Sequence, residues 1–416
     1  MQRFSTSCVT VALFVLVFSC SSGPRTEEGD TGTVAQPLAL TTPRKLLPFV
    51  ALADGRVLAV GGHDGNRTLA SCELFEPASG TWRVTGALHT PRRNHAAVRL
   101  ADGRVLAVGG THGVAMGALA SAEVYDPAKG VWSQVAPMAE ARNDPAAVRL
   151  ADGRVLVAGG TDVDRRPLRT AELFDPVTGT WSAAEAPGFA RGGSRSAVLL
   201  ANGKALFASG LQAELYDPAT GRWEKAGPAG GAAGTHRLAH TVTLLPDGRV
   251  LVMGGTTARA ASTAEVYSPE TGEWTLVAAP AVAREHHAAV VLPDGTVLVM
   301  GGEHYTTGAL ASVERFDPAT GTWASAHTLA EPRGKTGAVV LPDGAVLVMG
   351  GENEAAGMLT TSERYVPGGC VPAVCSARDG RCGVVPDGCG GTLDCGPCAG
   401  DVCAAGECRA EGTSAE

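Results

Sequence analysis

Ala101-Asp102-Gly103-Arg104-Val105-Leu106-Ala107-Val108-Gly109-Gly110, then Ala122-Glu123-Val124-Tyr125-Asp126-Pro127 and Gly130-Val131-Trp132, form one copy of a unit that recurs along the chain. The Asp-Gly step returns at Asp54, Asp152, Asp247, Asp294 and Asp343, with Asn202-Gly203 as a variant. The Gly-Gly step returns at Gly61, Gly159, Gly254, Gly301 and Gly350, with Ser209-Gly210 as the degenerate copy. An aromatic-Xaa-Pro step stands at Phe75, Tyr125, Phe174, Tyr216, Tyr267, Phe316 and Tyr365. A fixed period of about 45 to 50 residues matches a supersecondary unit that buries its apolar faces only against its neighbours.

Each step has a local cause. Asp-Gly between two apolar runs is a strong hairpin signal, and a type I′ turn joining strand a to strand b is the expected form. Strand b, as in Val297-Leu298-Val299-Met300, is apolar throughout, which suits a strand covered on both sides. The Gly-Gly that ends it permits close backbone approach. Strand c carries the aromatic, Asp-Pro opens the next turn, and strand d carries Trp82, Trp132, Trp181, Trp223, Trp274 or Trp323, which are all the tryptophans of the protein. A tryptophan there fills the wedge between units and offers its N–H to a partner.

These residues resemble the kelch family, whose repeat combines a Gly-Gly after strand b with a spaced aromatic and tryptophan. The resemblance spans residues 31–367 and implies an all-β, seven-bladed propeller. Seven Gly-Gly-like steps meet only six tryptophans. Thr31-Gly32-Thr33-Val34 matches Thr320-Gly321-Thr322-Trp323, and Val34 precedes Arg44 by the spacing that separates Trp82 from Arg92. The N-terminal segment is therefore expected to close the seventh blade, so that no long edge stays unpaired. The alternative leaves that strand loose and the last blade open.

The ends of the chain read differently. Arg3 followed by the apolar run Val9 to Phe18 predicts an export signal over residues 1–19. Val17-Phe18-Ser19-Cys20 resembles a bacterial lipobox, implying lipidation of Cys20, a polar tether over 20–30 and an outer-membrane lipoprotein, facing the periplasm or the surface. An ordinary secreted protein is the alternative. Residues 368–416 hold Cys370, Cys375, Cys382, Cys389, Cys395, Cys398, Cys403 and Cys408 among glycine, proline and aspartate. So small a segment has little core, and a disulfide framework of undetermined pairing is expected. The stretch from Asp387 to Gly396 resembles cysteine-rich modules of exported myxobacterial proteins. A wall-binding module and a protease-resistant cap both remain open for it.

With a formal net charge of -8, the chain lacks the basic footprint of a general nucleic-acid binder. Near-identical a–b and c–d turns make one face structural, while the b–c and d–a loops of the other face vary. On that variable face Arg44, Arg92, Arg142, Arg191, Arg237, Arg284 and Arg333 precede strand a, one per blade. A ring of guanidiniums would bind an anionic protein or glycan, and arginines at this position contact acidic peptides in kelch-type substrate adaptors; the competing reading makes them part of the scaffold. In blade 6, Glu285, His286, His287, Glu303 and His304 approach from adjacent loops as a candidate metal site or acid–base pair, although His287 matches His95 and His240 in other blades. The short link Leu211-Gln212-Ala213 and the glycine-rich stretch Gly227 to Thr235 offer a notch beside blade 4.

Galactose oxidase shares the kelch propeller but needs copper held by two tyrosines, two histidines and a cysteine joined to one tyrosine. Four of the five tyrosines here belong to the strand-c motif, so that constellation is not visible. Kelch-fold sialic acid epimerases, with arginine, glutamate and histidine over the funnel, are the nearer enzymatic resemblance. No complete catalytic set and no cofactor motif is present. The expectation is a monomeric binding scaffold for a protein or glycan, with a carbohydrate-active enzyme centred on blade 6 as the alternative.

Overall fold

The computed structural model describes residues 38–113, 117–190, 197–209, 212–227, 237–255 and 263–367, with the backbone of 33–34 and of short strands at 384–386, 392–394, 402–404 and 407–409. It is a seven-bladed propeller with no helix among the described residues. Cys20 and the side chains of the eight tail cysteines lie outside the described residues, as do Arg191 and the segments 210–211 and 228–236 flanking blade 4.

Each blade is an antiparallel sheet in the order a-b-c-d. The a strands neighbour one another around the axis, and the last, Gly337–Val340, lies beside the first, Phe49–Ala51, which closes the ring. Strand b is the core. Val57–Val60, Val105–Val108, Val155–Ala158, Ala205–Ser209, Val250–Met253, Val297–Met300 and Val346–Met349 are buried at every position. One face of each such strand packs toward the next blade and its aromatic, and the other, as Val57 and Ala59 do, toward its own blade's aromatic and the preceding blade. Leu58 and Val60, for example, share a cluster with Val105, Ala107 and Tyr125. Burial of such a side chain contributes about 1.5–3 kcal/mol.

Strand d is held by its tryptophan. Cross-strand register sets Phe75 opposite Trp82, with ring centroids 5.3 Å apart, and the other blades repeat the pair. The indole N–H then crosses to the preceding blade: Trp181 donates to Ala136 O at 2.7 Å, Trp223 to Glu185 O at 2.7 Å and Trp323 to Ala278 O at 2.8 Å.

The seventh blade takes its outer strand from the N-terminal side. Thr33 and Val34 pair with Val366 and Tyr365, and Leu38 and Ala39 pair with Ser362 and Thr361. Trp82 of blade 1 donates to Ser362 Oγ at 3.0 Å, and that hydroxyl donates to Leu38 O, so at the seam between first and last blades a side chain relays the contact that a carbonyl accepts directly in blades 3, 4 and 6.

The a–b turns differ from the expected type I′ form. Only the glycine takes a positive φ, as at Gly55 (φ 87°) and Gly103 (φ 89°), and the aspartate before it does not. Leu52 O accepts from Gly55 N, and Leu52 N donates to Arg56 O. This is a three-residue loop with glycine in the bulge position, the other common hairpin solution. Aspartate suits it by accepting the backbone N–H two residues on, as Asp54 does from Arg56 at 3.1 Å. Arg56 continues to Pro127 O, Arg104 to Pro176 O and Arg249 to Pro318 O, tying these three turns to the next blade.

Gly61 has φ 57°, and a Cβ there would stand 2.6 Å from Arg92 O, whereas at Gly103 nothing lies within 4 Å. Gly61→Ala should therefore cost about 2–4 kcal/mol of unfolding free energy against about 1 kcal/mol for Gly103→Ala, read from urea midpoints.

Candidate functional site

The repeated arginines come first, because the structure places them inside the blades. Arg44, Arg92, Arg142, Arg237, Arg284 and Arg333 are at most 2% exposed. Arg284 Nη1 donates to Gly301 O at 2.7 Å and Ser312 O at 3.1 Å, while its Nη2 donates to Ser312 Oγ at 3.0 Å and Glu314 Oε1 at 2.6 Å. The same set of bonds recurs with Glu73, Glu123, Glu172, Glu265 and Glu363 as carboxylate partners. The carboxylate also accepts from the loop that enters the blade: Glu314 takes Ala281 N at 2.6 Å, and Glu123 takes His89 N at 2.7 Å and Thr90 N at 3.0 Å.

Six arginines of the expected ligand-binding ring are thus scaffold, and Arg191 lies outside the described residues. Their Nη1 and Nη2 groups are spent on carbonyls, a hydroxyl and a buried glutamate, so no charge is directed at the funnel. The sequence carried the signal for this: a glutamate stands two positions before the strand-c aromatic in every blade.

The funnel is lined instead by the residues just after each arginine. Backbone bridges join Lys45 to His63, Arg93 to Thr111, Asn143 to Thr161, Glu285 to Glu303 and Gly334 to Glu352. One position further, Leu46, Asn94, Asp144, Ala239, His286 and Lys335 all adopt a left-handed backbone, with φ between 50° and 58°. Asn94 N donates to Leu46 O, Asp144 N to Asn94 O and His286 N to Ala239 O, so these residues link neighbouring blades around the axis. The bonds hold a conformation that costs a non-glycine residue of order 1 kcal/mol.

Blade 6 divides its candidate residues. His287 is buried, with Nε2 at 2.8 Å from Thr241 Oγ1 of blade 5, and His240 makes the equivalent inter-blade contact with Ala208 O at 3.0 Å. Burial, reinforced by Arg284, His240 and His286, keeps the His287 ring well below its ordinary pKa and therefore neutral. It is a scaffold residue and leaves the candidate site.

Glu285, Glu303 and His304 do meet, in a cleft of about 460 Å³ between blades 6 and 7 that is completed by Tyr305, Lys335, Glu352, Asn353 and Glu354. Lys335 Nζ lies 3.1 Å from Glu303 and 2.6 Å from Glu352, and Lys45 Nζ lies 2.5 Å from Glu352. The Glu285 carboxyl is pushed up by burial and by Glu303 beside it. Tyr305 is 75% exposed and stacks on His304 with centroids 4.6 Å apart. Lys335 and Glu352 were missed because they come from blade 7, and no local pattern ties its loops to the Glu303-His304-Tyr305 stretch of blade 6.

Two stretches of comparison now bear on this geometry. The kelch-motif profile matches residues 49–86, 92–139, 144–186, 237–280 and 286–327, just over half of the chain. The chain belongs to the kelch family. Its blade 4 and its blade 7, which is built from both ends, are the copies outside those matches. Among solved structures, a fungal alcohol oxidase of the AA5 family, determined in complex with copper, superposes with a TM-score of 0.67 at 19% identity, covering 81% of this chain and 76% of that one. That likeness shows the kelch propeller fold. No curated protein sequence matches the chain.

The described residues do not assemble a copper site of the oxidase kind. Tyr125, Tyr216, Tyr267 and Tyr365 are buried in the blades, and Tyr305 is exposed at a loop tip. Cys72 is buried on strand c beside the Trp132 indole, and burial pushes its thiol up to about 11. Among the described residues no group of three His, Cys, Asp or Glu stands in a metal-holding arrangement.

The depressed pKa of His287 makes a pH prediction. The unfolded chain takes up a proton near pH 6.5 that the folded ring refuses, so this contribution to stability is intact above 6.5 and lost as pH falls toward the folded pKa. His287→Gln should remove about one proton of that dependence, about 1.4 kcal/mol per pH unit below pH 6, in unfolding curves recorded from pH 7.5 to 5.

Proposed function

We propose that this kelch propeller is an exported, lipid-anchored scaffold that binds a protein or glycan on its b–c/d–a face, with the cleft between blades 6 and 7 as the principal contact. The observation that carries the reading is the contrast between the two kinds of position within one repeat. The arginine, glutamate, tryptophan and Gly-Gly positions do the same structural work in blade after blade. The residues just after the arginine change from one described blade to the next, and in blades 6 and 7 they line a cleft.

The chemistry of that cleft favours a different ligand from an arginine ring. Glu285, Glu303, Glu352 and Glu354 outnumber Lys335, so amines and hydroxyl-rich groups suit it better than carboxylates or sulfates. Tyr305 supplies an exposed aromatic face of the type on which a sugar ring or a cation rests. Export over residues 1–19, lipidation of Cys20, the tether 20–30 and a disulfide-linked tail over 368–416 complete the proposal and rest on the sequence alone. They place the protein at the outer membrane.

A second reading keeps the same cleft as an enzyme site acting on a carbohydrate. It is favoured by the raised Glu285 carboxyl, which burial and the neighbouring Glu303 hold toward its protonated form, as suits a group that transfers protons. The two readings separate on one set of proteins. A glycan-and-peptide array should return ligands whose affinity falls at least tenfold, about 1.4 kcal/mol, in Glu285→Gln and in Tyr305→Ala with unchanged melting. Ligands that bind both variants as well as the parent would remove the cleft from the account. Conversion of an array sugar that stops in Glu285→Gln would favour the enzyme.

A further inference from the structure

We infer that the tether and the cysteine-rich tail leave the propeller side by side on the a–b/c–d face, at the outer edge of blade 7, so that the anchored protein turns its cleft away from its own membrane. The inference rests on the proposed lipidation of Cys20 for the membrane and on observed strand pairing for the geometry.

Antiparallel pairing fixes the directions. Strand c of blade 7, Thr361–Val366, runs from the b–c loop toward the c–d face. Thr33 lies opposite Val366, and Ala39 lies opposite Thr361. The chain therefore enters the propeller on the c–d face and climbs to the loop face by Ala39, while its other end departs beside the point of entry. The cleft lies on the opposite face, in the same sector of the ring, lined by blades 6 and 7.

Charge acts in the same direction. Laid on the bilayer, the cleft would bring four carboxylates against anionic headgroups, which repel them. The geometry thus fits a soluble partner or one on an opposing surface.

Two exposed alanines test the orientation. Ala319 lies in the c–d turn of blade 6, and Ala355 lies in the b–c loop of blade 7. The full-length lipoprotein, carrying a clickable residue and donor dye at one of these positions, is reconstituted in phosphatidylcholine–phosphatidylglycerol vesicles with an acceptor-labelled lipid. Because a five-residue strand alone separates the faces by about 17 Å, transfer from Ala319 should exceed that from Ala355 by about threefold or more. Equal transfer, or the reverse order, overturns the inference. The mass of the N-terminal peptide reports lipidation separately. If Cys20 carries no lipid, the anchoring proposal fails. The same dye comparison on full chain held to nickel-chelating vesicles by a hexahistidine at position 20 then still decides the geometry.

Discussion

The interaction on which the ring depends is the buried arginine–glutamate clamp, described in six of the seven blades. Every crossover from strand d of one blade to strand a of the next must leave backbone donors and carbonyls near the core, where an unpaired group costs about 1–3 kcal/mol. The clamp satisfies them together. In blade 6 the Arg284 guanidinium takes the carbonyls at the end of strand b and before strand c, and Glu314 takes the incoming loop N–H groups. Neither charge is tolerable alone in that position, since removing one partner of a buried pair typically costs about 3–5 kcal/mol. The pair is favourable because backbone carbonyls and loop N–H groups bond the arginine Nη atoms and the carboxylate oxygens as well.

With the crossovers fixed, the residues after each arginine are free to vary without disturbing the blade. They are held in left-handed conformations by backbone bonds to the neighbouring blade, so their side chains can change while their position does not. In the sector where blades 6 and 7 meet, that freedom has collected carboxylates, two lysines and an aromatic platform. Lys335 and Lys45 join Glu303 and Glu352 across three blades, including the seam at which the chain closes on itself. Closure and cleft therefore share one charged network.

The fold was legible in the sequence because each repeat position has a strong local cause, and seven copies make the pattern clear. Even the outer strand of blade 7 could be found, from a Thr-Gly-Thr-Val stretch standing where Thr-Gly-Thr-Trp stands elsewhere. The turn type was misjudged, since Asp-Gly serves a three-residue bulged loop as readily as a type I′ turn. The site was less legible. An arginine repeated in every blade reads equally as a ring of ligands or a set of clamps, and the glutamate that decides between them lies about 30 residues away. His287 was drawn into the candidate site by its neighbours in sequence, while its side chain faces the previous blade. The cleft depends on loops from separate blades, which no local pattern specifies.

The clamp is tested most directly by a double-mutant cycle in blade 6. Unfolding free energies are measured for the parent, Arg284→Met, Glu314→Gln and the double variant. Each single change should cost about 3 kcal/mol or more, with a coupling of at least about 2 kcal/mol because the second change removes an already orphaned charge. Single changes within about 0.5 kcal/mol of the parent and fully additive would contradict the account and return the arginines to the ligand.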